Sequence, residues 1–356
     1  ARIVDRVGGQ HNAATNREYT CYYINVVSDY LEMSLDILSD MYYNSVFDAE
    51  EIGKEKNVII EEIRMYEDTP DEFIHDFFME KMLQGHPLSH SILGTVDGIE
   101  SITRGSLASF YDEYYINENA ILVIAGSFDP EKAKGLIDTY FSKSREKSIQ
   151  SVSIDSSAPV SIITEHVEKD LEQVHFCMGL EGIKRNDRDR WSLYILSTIL
   201  GGSMSSRLFQ NIREKEGISY SIYSFHSSYA DCGVFGIYCA TLPGKFHYTV
   251  DLIMKECRKF FHEGITEEEF LDTKTYMKGS LALSLESNEV RMSQLARNEM
   301  TYGRYFDFNE IVSIVDSITM DDYRRVAERI FRDKKFSLVS VGKLKKKGTG
   351  SLDLRL

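Results

Sequence analysis

The same sequence plan occurs twice in this chain, at an offset of 216 residues. Residues 99–128 and 315–344 align without a gap, and both begin with an apolar residue, an acidic residue, serine, isoleucine and threonine. The threonine, Thr103 or Thr319, precedes an amphipathic helical pattern and is suited to cap it through its hydroxyl. An apolar run that ends near a glycine then predicts a strand at 121–124 and at 337–340.

The regions that precede the two repeated segments also resemble each other, because each contains predicted strands followed by a predicted helix. Alternating residues predict strands within 10–27 and 220–241, and amphipathic patterns predict helices at 30–43 and 247–263. Residues 142–157 contain seven serines and little periodicity, which is typical of a linker. We therefore predict an α+β chain of two homologous domains, each an antiparallel-rich mixed sheet covered by helices on one face. Their bounds are 1–145 and 159–356, with a linker at 146–158.

Composition narrows the function classes. The formal charge is −15 and the pI about 5.1, which argues against nucleic acid as a partner because phosphates would be repelled. Five cysteines without a CxxC pair indicate reduced thiols and a cytoplasmic protein. The apolar runs are too short to span a membrane.

Two carboxylates are the first candidate site residues. Glu55 and Glu62 lie seven residues apart, which is two helical turns, so they share one face of a predicted helix. The same face carries Val58 and Ile59, so we expect it to be partly buried, and a buried carboxylate needs a partner. From spacing alone, a solvated acidic helix is the commoner interpretation. The repeat places Lys278 opposite Glu62, so only the first half has this acidic face.

Several long motifs occur in a fixed order along the chain. They lie at 8–15 (GGQHNAAT), 18–23, 55–70, 201–209 (GGSMSSRLF) and 213–220 (REKEGISY). In these motifs the chain resembles the pitrilysin-type zinc peptidases (M16, the inverzincins), in particular short members similar to the mitochondrial processing peptidase. The resemblance implies a half of a clamshell that dimerises around a closed chamber.

The resemblance also implies roles for the carboxylates. In the family, zinc is held by two histidines of a His-x-x-Glu-His motif and by a distant glutamate, which Glu62 matches. Glu55 matches a second helix carboxylate that supports the catalytic site from behind the ligands. Zinc is therefore the implied cofactor.

Four further residues match the family's substrate contacts. Arg213 and Tyr220 match an Arg–Tyr pair that would hold the scissile carbonyl and its developing negative charge. Asn12 and Ala13 match a strand edge on which a peptide adds as an extra strand. Without the resemblance, Arg213 would be interpreted as a surface ion pair with a neighbouring glutamate, Tyr220 as a strand aromatic, and 12–13 as ordinary strand.

The chain departs from the family in one respect. None of its nine histidines lies in a His-x-x-Glu-His motif, and the closest pair, His86 and His90, encloses a proline and reads as a loop. The family motif would fall before Ala1. Either the polypeptide lacks an N-terminal segment of the native protein, or this homologue has lost its metal site. Residues 1–7 read as the end of a helix and favour the first alternative, in which this polypeptide alone is inactive.

We therefore predict a zinc metalloendopeptidase that cleaves peptides or unfolded segments. The alternative is a non-catalytic member that serves as a partner subunit or peptide-binding protein. We expect a homodimer in the cytoplasm, with the mitochondrial matrix as the other compartment, and no nucleic acid or membrane partner.

Overall fold

The computed structural model describes residues 1–143, 162–344 and 352–356. Within them the chain forms two compact units: unit 1 comprises 1–65, 92–143 and 284–305, and unit 2 comprises 66–91, 162–283, 306–344 and 352–356. The predicted α+β class is confirmed. The predicted linker at 146–158 lies outside the described residues, and the sequential domain bounds stay a prediction.

The helices in chain order are α1 (Arg2–Arg6), α2 (Leu31–Tyr43), α3 (Ala49–Glu67), α4 (Pro70–Met82), α5 (Val96–Ser101), α6 (Arg104–Tyr114), α7 (Pro130–Tyr140), α8 (Arg190–Gly201), α9 (Phe246–Glu263), α10 (Glu267–Ser284), α11 (Asn288–Tyr302), α12 (Phe308–Ser317) and α13 (Met320–Phe331). The strands are β1 (Gln10–Thr15), β2 (Thr20–Asn25), β3 (Thr164–Glu168), β4 (Val174–Glu181), β5 (Ser221–Ser228), β6 (Gly233–Thr241) and β7 (Ser337–Gly342). A π-helix spans Phe209–Lys215. Among these described helices, none combines the length and the apolar character needed to cross a bilayer.

Both predicted threonine caps are present. The Thr103 hydroxyl accepts the backbone N–H of Ser106 at 3.1 Å, and the Ser106 hydroxyl accepts the N–H of Thr103 at 2.9 Å. Thr319 and Asp322 form the same reciprocal box at the start of α13. A capping box satisfies two N–H groups that a helix start would otherwise leave unpaired. The two copies of the repeat therefore begin their helices with the same capping box.

The predicted strand at 121–124 does not form, unlike its counterpart in the second half. There β7 lies between β3, which runs parallel to it, and β4, which runs antiparallel. Within the described residues, 121–124 has no ladder partner and forms no strand, and Ile121 and Leu122 are 44% and 38% exposed.

Unit 2 contains a five-stranded mixed sheet in the order β3-β7-β4-β6-β5. The hairpin predicted within 220–241 is present as β5 and β6. Helices α8, α9 and α13 pack on one face of the sheet. The other face is covered by α4, whose Ile74, Phe78 and Met82 contact β4, β6 and β7, so the prediction of helices on one face only is wrong for this unit. The strands β6 and β7 are buried along their whole length and β4 along most of its length, as expected of a sheet that is covered on both faces.

Unit 1 contains the antiparallel hairpin of β1 and β2. Helix α11 belongs to this unit although it comes from the second half of the sequence. A cavity of about 1660 Å³ opens in unit 1. Its wall is formed by β2, α2, the unpaired segment 120–128 and one side of α11, and it is rich in tyrosine and aliphatic side chains. The cavity thus lies beside the segment that lacks ladder partners.

Candidate functional site

Glu55 and Glu62 lie on the same face of α3, as predicted, but that face is exposed. Both carboxylates are exposed and make no hydrogen bond or ion pair within the described residues. Val58 and Met65, on the same face, are 51% and 65% exposed. Ile63 is the buried residue of this helix. The expected partial burial of this face holds for Ile59, which is partly buried, but it does not extend to Val58 or to the two carboxylates.

The described residues do not assemble a zinc site around Glu62. A catalytic zinc site normally uses three protein ligands. Within residues 1–143, 162–344 and 352–356, one group of three candidate ligands comes together, His86, Asp231 and Cys232, and it includes neither Glu55 nor Glu62. Glu62 can thus supply one carboxylate to a metal, while the implied histidine pair is not among these 356 residues.

The group at His86 is better described as a hydrogen-bond network than as a metal centre. The Nδ1 atom of His86 accepts the backbone N–H of Leu88 at 3.2 Å, so the proton of the neutral ring is on Nε2. Nε2 donates it to Asp231 Oδ2 at 3.0 Å. Burial, with the nearby Asp231 carboxylate, raises the pKa of Cys232 to about 12. A metal at Nε2 would have to displace that proton and disturb the Leu88 contact.

Arg213 and Tyr220 are brought into direct contact in unit 2. The Cζ atom of Arg213 lies 4.4 Å from the centroid of the Tyr220 ring and 4.6 Å from that of Phe209. Tyr220 is 76% exposed, whereas Arg213 is partly buried. The alternative ion pair also exists, but Nε of Arg213 is 3.8 Å from the carboxylate of Glu214, which is beyond hydrogen-bond distance. The stronger contacts of the guanidinium are thus with the two rings.

The local sequence explains this geometry. Leu208 and Ile212 are buried and anchor the π-helix, which leaves Arg213 on the outer side. Gly217 adopts φ of +63° and its N–H donates to the carbonyl of Arg213 at 3.1 Å, which ends the helix. Glycine takes this left-handed conformation at little cost, and the chain then turns into β5, with Tyr220 directly before that strand. Wide π turns are rare and occur frequently at functional sites.

Asn12 and Ala13 lie on β1, whose outer edge has no partner strand in the described residues. The N–H of Asn16 donates to the carbonyl of Tyr19 and closes the hairpin. Paired residues of antiparallel strands alternate between hydrogen-bonded and non-bonded pairs, so Asn12 is bonded to Tyr23 and Ala13 is not bonded to Tyr22. The backbone of Ala13 therefore faces the open edge, and its N–H donates to the side-chain oxygen of Asn12 at 2.8 Å.

The predicted residues thus form three groups. Arg213 contacts Tyr220, Glu55 shares a helix face with Glu62, and Asn12 adjoins Ala13 on one strand. Phe209, which completes the surroundings of Arg213, was not predicted. Its spacing of four residues from Arg213 was the available signal, since such pairs meet on a helix.

Comparison with known proteins gives consistent matches over nearly the whole chain. Residues 1–96 match the family model described as "Insulinase (Peptidase family M16)", and residues 101–277 match "Peptidase M16 inactive domain". The "uncharacterized zinc protease YmxG" of Bacillus subtilis is 36% identical over 96% of this chain and 83% of its own length. The "uncharacterized zinc protease SCO5738" of Streptomyces coelicolor is 33% identical over 98% and 77%.

Solved structures show the same fold. A protease from Helicobacter pylori superimposes with a TM-score of 0.86 at 22% identity, over 96% of this chain and 84% of its own. A "peptidase M16 inactive domain" from Pseudomonas fluorescens gives 0.87 at 19%, over 99% and 84%. Because these sequence identities are only 22% and 19%, the superpositions show a shared fold and do not show a shared activity.

Proposed function

This chain belongs to peptidase family M16, and from that membership we propose that it acts as a zinc-dependent endopeptidase on peptides or unfolded polypeptide segments. The observation that carries the proposal is the contact between Arg213 and Tyr220. A guanidinium and an exposed phenol side by side offer several donors to one carbonyl oxygen. Relatives over most of the chain are named zinc proteases, which agrees with this chemistry.

Peptide capture is the task of the open β1 edge. A substrate strand added there would pair with the outward N–H and C=O of Ala13 and of the residues two positions away, His11 and Thr15. Hydrogen bonds to the peptide backbone depend little on the amino-acid sequence of the substrate. This mode of binding suits an enzyme that takes many unfolded segments, inside a closed chamber.

Glu62 would be one zinc ligand, and Glu55 would support the site from the same helix face. The two imidazoles would come from a His-x-x-Glu-His motif that these 356 residues do not contain. We further propose a homodimeric protein of the cytoplasm, with no nucleic acid or membrane partner. The strongly negative charge of −15 is consistent with the lack of nucleic-acid binding.

The test uses the protein expressed from its complete reading frame. Glu62→Gln should lose bound zinc and peptide turnover together, whereas Arg213→Ala should lower turnover and keep zinc. The matched control is Glu61→Gln, which removes the neighbouring carboxylate. Glu61 pairs with Arg64, so this change should alter neither the bound zinc nor the turnover. Unchanged turnover in both Glu62→Gln and Arg213→Ala would refute the proposed function.

A second candidate is peptide binding without hydrolysis, as a partner subunit. The open edge of β1 favours it, because backbone pairing needs no metal. Peptide binding by the full-reading-frame protein without any zinc-dependent cleavage would select this candidate.

A further inference from the structure

Two aromatic rings flank the guanidinium of Arg213. The ring of Phe209, at the start of the π-helix, lies 4.6 Å from Cζ, and the ring of Tyr220 lies 4.4 Å from it. The two rings make no contact with each other. With both centroids this close to Cζ, they must approach the guanidinium from different directions.

An arginine side chain needs such support if it is to act at a fixed place. Its long stem has high rotamer entropy, which partial burial alone does not remove. Glu214 cannot fix it, because that carboxylate is exposed and stands 3.8 Å from Nε. Tyr220 is itself 76% exposed, so only a small part of its side chain is packed against the protein. Phe209 is partly buried and sits on the same π-helix as Arg213, next to the buried Leu208, so it is the better-anchored ring.

We propose that Phe209 is a positioning residue that holds the guanidinium of Arg213 in place for a substrate carbonyl. This rests on the proposed function, in which Arg213 contacts substrate. With aromatic rings against it from two directions, the guanidinium meets an incoming peptide through the N–H edge that the rings leave free. That edge carries donors in one plane, which suits the lone pairs of a peptide carbonyl. Phe209 itself touches no substrate.

The first experiment measures kcat and KM of the zinc-loaded, full-reading-frame protein. Phe209→Leu should lower kcat/KM by about 3- to 30-fold, the range expected for loss of one cation–π contact. Phe209→Tyr keeps a ring at the same place and should stay within about twofold of the parent, since the ring is what positions the arginine.

The decisive comparison is the double variant. If Phe209 acts through Arg213, adding Phe209→Leu to Arg213→Ala should cost nothing further, because the group to be positioned is already gone. An independent loss in that background would overturn the positioning role and leave the proposed function intact. No effect of Arg213→Ala alone would remove Arg213 from catalysis and so overturn this proposal as well, and Glu62→Gln would then decide the proposed function.

A measurement without turnover completes the test. Relaxation of the Arg213 Nε–H group by ¹⁵N NMR should show a more mobile side chain in Phe209→Leu and an unchanged one in Phe209→Tyr. Equal order in both variants would overturn the proposal, whatever the thermal stability of either protein.

Discussion

The guanidinium carbon of Arg213 lies 4.4 Å from the centroid of the Tyr220 ring, although the chain passes from a π-helix through a glycine turn toward β5 between them. This contact brings the guanidinium and the phenol together as one group of hydrogen-bond donors. From sequence patterns alone, the two residues would be interpreted separately. Which atoms of the cluster act on the substrate can be separated by substitution.

Arg213→Lys should lower turnover nearly as much as Arg213→Ala. A lysine keeps the charge but lacks the planar guanidinium, which contacts both rings and carries several N–H donors in one plane. Steady-state kinetics with zinc content measured in parallel checks this. Glu214→Gln, which alters only the weak ion pair, should leave turnover within about twofold. Full activity of Arg213→Lys would show that charge alone is required.

Tyr220→Phe should reduce kcat by about 10- to 100-fold while zinc and the arginine contact are kept. The ring remains for the guanidinium, and only the hydroxyl donor is lost, so the change isolates one hydrogen bond to the developing charge. If Tyr220→Phe were as active as the parent protein, the phenol would serve only to hold Arg213.

A polypeptide of these 356 residues should hold well under one tightly bound zinc per chain. Glu62 is exposed, and the described residues bring no histidine to it. Metal analysis after dialysis checks this. Stoichiometric zinc that disappears in Cys232→Ser would contradict our assignment of His86, Asp231 and Cys232 as a hydrogen-bond network. If the chain instead bound one zinc that was lost in Glu62→Gln, the prediction would be wrong, and Glu62 would have further ligands that the structure does not bring to it.

Ala13→Pro should weaken the binding of an unstructured peptide with little loss of stability. The N–H of Ala13 is outside the β1–β2 ladder, so proline removes a donor that faces the open edge. Fluorescence anisotropy of a labelled peptide measures the binding. Ala14→Pro is the matched control, since Ala14 is bonded to Cys21 across the ladder and its loss should damage the hairpin. Equal peptide affinity of Ala13→Pro and the parent would exclude this edge as the binding site.

Unit 2 should lose stability in mild acid. Burial, with the nearby Arg190, lowers the pKa of His226 from 6.5 to about 4, so the unfolded chain binds the proton first. The stabilisation is complete above pH 6.5 and falls as the pH drops from 6.5 toward 4, by about 3 kcal/mol for this residue. Burial also lowers the pKa of His75 and His175, which adds to the loss.

Urea unfolding followed through Trp191, the single tryptophan and a residue of α8, measures this effect in unit 2. His226→Phe removes the titrating group from its place beside Tyr194 and should flatten the pH dependence. An unchanged pH profile in this variant would show that other groups control the acid transition.

The sequence predicts what local chemistry decides. The caps at Thr103 and Thr319, the β5–β6 hairpin and the α+β class depend on neighbouring residues and are confirmed. The segment 121–124 has the apolar character of a strand, but a strand needs a ladder partner, and partners come from elsewhere in the chain. The exposure of Glu62 is likewise set by what packs on α3, and the helix pattern alone does not contain that information.

The same limit applies to the grouping of elements. Helix α4 belongs to unit 2 and α11 to unit 1, and this grouping does not follow from the order of the helices along the chain. The apolar residues of α4 cover a face of the sheet that exists only once β4, β6 and β7 are side by side. The Arg213–Tyr220 contact could be anticipated only from the family resemblance.

The packing of α4 in unit 2 affects which fragments of the protein can fold separately. A fragment that ends at residue 143 would carry Ile74, Phe78 and Met82 without the strands that bury them, and would also lack α11. The complementary fragment would expose the bare face of its sheet. Such apolar surfaces aggregate or find each other. The two halves should therefore be soluble only when they are produced together.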